Sequence, residues 1–278
     1  MKQFTIKQID LTTLEGMEEI LSRSIGYSTS IADEVDYYKS ESPTGWYVAR
    51  NMDGENIGFI RRFKQNSELS LVEFYVEKSC KDRKLIANKL LSNFLDSNIF
   101  ESKHRLRFDL NESDLDLNFT VEEFGCSDKK QVFHYFEIQI PKETGVFLIE
   151  EQTTKLNAAD VAEALSHLHS VKESDVKSWI ESNSIRAIEV DSKIVAAAQV
   201  YFYTESAEIN RIATHAKYLR QGYAKQLVLK ICNELKLSKI QKLFLKVEDS
   251  KTPAICFYRN FGFIENLDKK QVWHSKFF

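Results

Sequence analysis

The sequence predicts an α/β fold (mixed α+β) made of two tandem related units, each a mostly antiparallel sheet flanked by helices. Two observations predict it: segments that recur at one constant offset, and the same coarse order of strands and helices in each half. Residues 129–134 read Lys-Lys-Gln-Val-Phe-His, and residues 269–274 read Lys-Lys-Gln-Val-Trp-His. Leu106 to Ser113 lies 137 residues before Leu243 to Ser250, Phe124-Gly125 lies 137 before Phe261-Gly262, and Ile57 lies 137 before Ile194. The offset grows to 140 at the last match. A boundary is expected in the turn-like segment Pro141-Lys142-Glu143-Thr144-Gly145, dividing the chain into 1–140 and 146–278.

The elements of the second half follow from periodicity and end signals. Val146 to Glu150 is an apolar strand. Ala158 to His169 and Ser174 to Glu181 are helices, the first opened by Asn157 as N-cap. Ile185 to Glu189 and Ile194 to Tyr203 are strands joined by the polar turn Asp191-Ser192-Lys193. A strand through Ile209, Ile212 and Ala213 precedes a helix read by Ala224, Leu227, Val228, Ile231 and Leu235. A strand at Leu243 to Val247, a helix at Pro253 to Asn260 and a strand at Gln271 to Phe277 complete the half.

Bulk properties narrow the function. With 43% hydrophobic and 28% charged residues over 278 positions, the composition is that of a folded globular chain. A net charge of −3 gives no field for nucleic acid or anionic lipid, so neither is an expected partner. The first ten residues carry no apolar run of signal-peptide length, and no segment has the length and apolarity of a membrane span. Cys80, Cys126, Cys232 and Cys256 are too scattered for a zinc site or a disulfide framework. A cytoplasmic, reduced protein without a metal is expected.

Between the Ile209 strand and the following helix lies Thr214-His215-Ala216-Lys217-Tyr218-Leu219-Arg220-Gln221-Gly222-Tyr223-Ala224. A strand, a loop with a residue lacking Cβ and a helix N-terminus make a place where backbone N–H groups can surround a phosphate. The plainer alternative is a glycine serving a tight turn.

That run, followed by Ala254-Ile255-Cys256-Phe257-Tyr258-Arg259-Asn260-Phe261-Gly262-Phe263, resembles the GNAT superfamily of acyl-CoA N-acyltransferases. The first segment is similar to the family's pyrophosphate motif and the second to its helix motif ending in Tyr, three residues, Gly-Phe. Leu219 stands where the family usually has Arg or Gln, and Lys251 where many members have Asn. The resemblance implies attack of a free amine on the thioester of acetyl-CoA, with a cradle for the pyrophosphate, a base for the ammonium proton and an acid for the departing thiolate.

By the same resemblance, the backbone N–H groups of Leu219, Arg220, Gln221, Gly222, Tyr223, Ala224 and Lys225 would face the pyrophosphate. Ile212, Ala213 and Thr214 would lie along the pantetheine arm, with Phe257 packed against it. Tyr258 sits where the family often carries a general acid, and a phenol holds its proton at neutral pH. Its other reading is an amphipathic-helix tyrosine with its ring in the core. Glu208 matches the strand position where some relatives place a carboxylate base, against the alternative of a solvent-facing strand residue. Asn210 and Arg211 follow on that strand as candidate acceptor-cleft residues, and His215 reads as a loop residue.

The offset assigns Leu85 to Gly222, Leu71 to Glu208 and Val121 to Tyr258. None of the first three can cradle a phosphate or move a proton, so one active site, in the second half, is expected. The first half is left to pack against the second, to wall the acceptor cleft or to form a homodimer interface. Arg61, Arg62 and Lys64 read as a solvated strand end. An N-acetyltransferase acting on a small-molecule or peptide amine leads; a CoA-binding or scaffolding protein without turnover is the alternative, and a longer acyl or an aminoacyl donor is a third reading. The acceptor carries no signature in the sequence.

Overall fold

The computed structural model describes residues 4–8, 46–64, 68–97, 104–141 and 156–278. The strand expected at 146–150 and boundary residues 142–145 lie outside the described residues. In chain order the elements are β1 (Phe4–Gln8), β2 (Tyr47–Asn51), β3 (Asn56–Lys64), β4 (Leu69–Val76), α1 (Arg83–Ser97), β5 (Arg105–Asn111), α2 (Leu115–Glu123) and β6 (Lys129–Gln139). Then come α3 (Ala158–Ser166), α4 (Glu173–Glu181), β7 (Ile185–Val190), β8 (Lys193–Phe202) and β9 (Ser206–Thr214). The chain ends with α5 (Tyr223–Leu237), β10 (Lys242–Glu248), α6 (Thr252–Phe261), β11 (Ile264–Glu265) and β12 (Gln271–Phe277). The first residues of β3 and β8, β4 and β9, β5 and β10, and α2 and α6 are each 137 apart, so the sequence offset is also an offset between matching elements.

Two compact units emerge, and they are interleaved in sequence: Met1–Phe133 with Asp268–Phe278, and His134–Leu267. The last strand, placed by the sequence in the second half, thus packs in the first unit, and the chain passes between units in the middle of β6. In the first unit the strand order is β1-β2-β3-β4-β5-β12-β6, with β4 and β5 parallel and the other pairs antiparallel. The six-residue sequence match is itself part of this pairing. Val132 lies opposite Val272, and the Phe133 and Trp273 rings have centroids 3.7 Å apart.

Alternation builds the first core. Leu106, Phe108 and Leu110 of β5 point one way with Val72, Phe74 and Val76 of β4, under Ile86, Leu90, Leu91 and Phe94 of α1. Arg61 departs from expectation: it is 1% exposed, paired with Glu73, and its guanidinium lies 5.0 Å from the Trp46 ring. The sequence reading of a solvated strand end is corrected for Arg61, because its charge partner lies twelve residues away across the β3–β4 pairing. Arg83 opens α1 and is held by both oxygens of Asp114, each at 2.6 Å, while its Nε donates to the Val76 carbonyl at the end of β4.

The second unit orders its strands β6-β10-β9-β8-β7, with β11 on β6. β8 is buried on both faces because its central residues are alanines, which let helices approach closely from either side. Ala196, Ala198 and Val200 pack with α5 residues Leu227, Val228 and Ile231, and with Ile255 and Tyr258 of α6. Ala197 packs with Val161, Ala164 and Leu165 of α3 and Val176 of α4. Asn157 caps α3 by accepting from Ala159 N at 2.9 Å. The β7–β8 turn takes positive φ at Asp191 and Ser192, 49° and 61°, as a tight hairpin requires.

His274 on β12 is fully buried, with Ser127 Oγ 2.9 Å from Nδ1 and Asn118 Oδ1 2.7 Å from Nε2. Burial, aided by the Lys130 charge, pushes the imidazole down to about 4. The unfolded chain therefore binds a proton that the folded one refuses between about pH 6.5 and 4. Stability should fall as pH drops through that window, by a few kcal/mol at most, and level off below it. Urea unfolding of the wild type and His274→Asn across pH 4–7 checks this; the variant should show the flatter dependence.

Candidate functional site

In the second unit, β9 and β10 pair in parallel over four positions only, from Ser206↔Lys242 to Ile209↔Leu245. β9 continues to Thr214 and β10 to Glu248 without further pairing to one another. The stretch without pairing begins where β9 is irregular on its other edge. Its antiparallel register with β8 runs Ile209↔Val200 and then Arg211↔Gln199, so Asn210 is one residue too many for its partner. Such a bulge bends and twists the strand that carries it, and it sits where the pairing of β9 to β10 ends.

The parted stretch presents backbone groups. His215 N donates to Val195 O, so the odd residues after the bulge bond β8 and the even ones, Ile212 and Thr214, turn theirs outward. Ile212 O takes one hydrogen bond, from His169 Nε2 at 3.2 Å, leaving one lone pair and its N–H. His169 is half-buried, and its pKa is lowered by that burial, with the Arg211 and Lys251 charges acting in the same direction. Ala213 faces the opposite way, into the core under α3 and α4.

Beyond Thr214 the chain makes a short helical turn, Ala216–Tyr218, capped by His215, whose Nδ1 accepts from Lys217 N. His215 also holds Glu163 of α3, so it serves the loop, as its sequence position suggests. Arg220 takes a positive φ of 59° and Gly222 one of 87°, and α5 starts at the next residue. No side chain caps α5, so the N–H groups of Tyr223, Ala224 and Lys225 point out of the helix without a cap. A Cβ built on Gly222 would meet no protein atom within 4 Å. Glycine is needed there for its backbone conformation, and the space beside it is open. Leu219 and Gln221 lie on this exposed loop. The residues present thus fit a phosphate group: uncapped donors, open space and a helix dipole in one place.

Tyr258 and Glu208 reach the parted strands from opposite faces. Tyr258, on α6, is buried between the Phe136, Phe257 and Phe263 rings, at centroid distances of 6.2, 5.1 and 5.4 Å. Burial raises its pKa well above the usual phenol value, so it holds its proton throughout the physiological range. Among the described residues its hydroxyl makes no hydrogen bond, and it is not one of the two sealed atoms without a partner, Arg105 Nε and Glu189 Oε2. The residue as a whole is 4% exposed. Phe257 is part-buried beside it.

Glu208 is 9% exposed, accepts from Tyr203 Oη at 3.1 Å and lies 3.8 Å from Lys246 Nζ. It is buried and paired, unlike the solvent-facing alternative. Lys246 alternates on β10 with Leu243, Leu245 and Val247, which face α5 and α6, so Glu208 and Lys246 share the other face. No hydrogen bond joins Glu208 to Tyr258 among the described residues.

Residues that the sequence did not single out surround this face. Gln199 is fully buried; its Oε1 accepts from Asn210 Nδ2 at 2.9 Å and Arg211 Nη1 at 2.5 Å, and its Nε2 donates to Tyr201 Oη at 3.0 Å. Trp179 of α4 stacks on the Arg211 guanidinium at 4.9 Å. One signal was available: Gln199 is the lone polar residue in the run Ile194-Val195-Ala196-Ala197-Ala198-Gln199-Val200. A polar side chain at such a position has to be matched by partners.

In the first unit, β4 and β5 also pair over four positions, Leu69↔Arg105 to Val72↔Phe108. There Arg83 and Asp114 occupy the ground at the end of β4. Leu85 is already inside α1, and no residue between β4 and α1 takes a positive φ. Leu71 and Val121, the counterparts of Glu208 and Tyr258, are apolar, and Val121 is fully buried.

Among the described residues no group of three or more His, Cys, Asp or Glu could hold a metal ion, and no helix is long and apolar enough to cross a membrane.

Residues 152–263 match the family model for the acetyltransferase (GNAT) family. Among solved structures, a GCN5-related N-acetyltransferase from Sphaerobacter thermophilus is similar at 14% identity and TM-score 0.71, over 100% of this chain and 96% of that one. A tandem GNAT protein from the clavulanic acid biosynthesis pathway is similar at 12% identity and TM-score 0.62, over 99% and 98%. A putative acetyltransferase from Pyrococcus horikoshii is similar at 12% identity and TM-score 0.57, over 100% and 90%. A search of curated proteins found no match. The fold is that of GNAT acetyltransferases.

Proposed function

We propose that the protein is an N-acetyltransferase that moves the acetyl group of acetyl-CoA to a primary amine by direct attack, at a single site in its second unit. The observation that carries this reading is the coincidence of two features: strands that part at the Asn210 bulge, and the uncapped α5 N-terminus beside Gly222 at the far end of the parted strand. When bound, acetyl-CoA supplies the acetyl thioester. The chain supplies the rest. N–H groups from Leu219 to Lys225 would hold the pyrophosphate, and outward backbone groups of Ile212 and Thr214 would align the pantetheine arm. Glu208, directly or through water, would take the ammonium proton. Tyr258 would give its proton to the leaving sulfur, and burial keeps that proton in place until the transfer.

A single site is supported by the first unit, where Arg83 and Asp114 stand at the matching strand end and no glycine opens the loop. A CoA-binding protein without turnover would need none of the pairing that positions Glu208 on its face. That pairing favours the enzyme.

Calorimetric titration with acetyl-CoA should give one site per chain. Gly222→Leu should bind at least tenfold more weakly, since a leucine at φ 87° is strained by roughly 1–2 kcal/mol and fills the open space. Absence of saturable binding to the wild type would end the transferase reading, and two equal sites would end the single-site claim. Tyr258→Phe should lower kcat by about 10²-fold or more with acetyl-CoA affinity unchanged. An unchanged kcat would remove Tyr258 from the mechanism.

A further inference from the structure

We infer that the acceptor amine carries a carboxylate, and that Arg211, set by Gln199 and Trp179, receives it; the inference rests on the transferase reading of the same site. Arg211 is a half-buried cation, and among the described residues no carboxylate pairs with it. Glu208 on the same strand is engaged by Tyr203 and Lys246 instead. The guanidinium gives one N–H to Gln199 Oε1 and lies over the Trp179 ring, which leaves four of its five N–H donors for an external acceptor.

The neighbouring groups are donors too. Gln199 is fully buried, and its carbonyl is filled by Asn210 and Arg211, so its amide has to donate to Tyr201 Oη. Tyr201 therefore accepts from Gln199 and keeps its own O–H to give, on a residue that is 39% exposed. His169 and Lys251 stand on the same side of the charge balance; the cations of Arg211 and Lys251 are both close enough to disfavour protonation of His169. A planar cation with, among the described residues, no carboxylate paired to it and a phenolic donor beside it form a receptor for an oxyanion. The planar fork suits a carboxylate.

This receptor is separate from the phosphate cradle. Arg211 lies three residues before Thr214, and its Gln199 and Trp179 partners are on the α3 and α4 face, whereas α5 covers the other. Glu208 is three positions from Arg211, at most about 10 Å along an extended strand. An amine at Glu208 and a carboxylate at Arg211 are thus bridged by a dipeptide or an ω-amino acid more readily than by an α-amino acid.

Trp179 touches the guanidinium, so its fluorescence reports occupancy; Trp179→Phe identifies the signal. The full chain, with and without acetyl-CoA, is titrated with glycylglycine against glycylglycinamide, 5-aminopentanoate against pentylamine, and phosphoethanolamine against ethanolamine. The acids of the first two pairs should bind at least tenfold more tightly than their neutral partners. Arg211→Met should erase that preference while leaving acetyl-CoA binding by calorimetry unchanged, which shows the variant folded. Arg211→Lys should keep part of it. Equal binding within pairs, equal weakening of both members by Arg211→Met, no saturation by either acid, or preference for phosphoethanolamine over both acids would overturn the inference. Carboxylate-selective binding without thiol release would sink the transferase reading and leave the carboxylate receptor standing.

Discussion

Four parallel backbone pairs between β9 and β10, with none beyond them, are the constraint from which the rest of the second unit's site follows. One residue, Asn210, stands where that pairing ends. Asn210 has no place in the β8–β9 register, and an extra residue adds bend and twist to the strand that carries it. The same extra residue puts Asn210 and Arg211 on one face, where both reach Gln199. A single extra residue thus assembles the polar group beside the gap.

Burial then sorts the groups around the gap. On the α5 and α6 side the packing is aromatic and apolar, and Tyr258 stays neutral within it. On the α3 and α4 side the packing gives way to Gln199, Glu208, Arg211 and Tyr203, each matched to a neighbour. The sheet separates a face that holds a proton from one that holds charges.

Much of this was legible in the sequence because it is local. The Asn157 cap, the Asp191-Ser192 turn, the Gly222 loop and the limits of β12 depend on neighbours in the chain. The recurrence of elements was legible because matched residues keep one offset, and the matched elements begin at that offset too. What escaped was pairing at a distance. Arg61 reads as a strand-end charge until Glu73 is placed beside it across β3 and β4. His169 reads as a helix end until Ile212 turns its carbonyl outward. Periodicity tells which face a strand buries, but not which sheet edge it joins, so β12 was grouped with its sequence neighbours.

That last placement bears on how the protein is made. The first unit needs Gln271–Phe277, which seat between β5 and β6, before its sheet is whole. During synthesis its other strands leave the ribosome more than a hundred residues ahead of this one, with the edges of β5 and β6 unpaired. The two units therefore cannot mature in strict succession. A chain cut short before β12 would damage the unit made first, not the one made last.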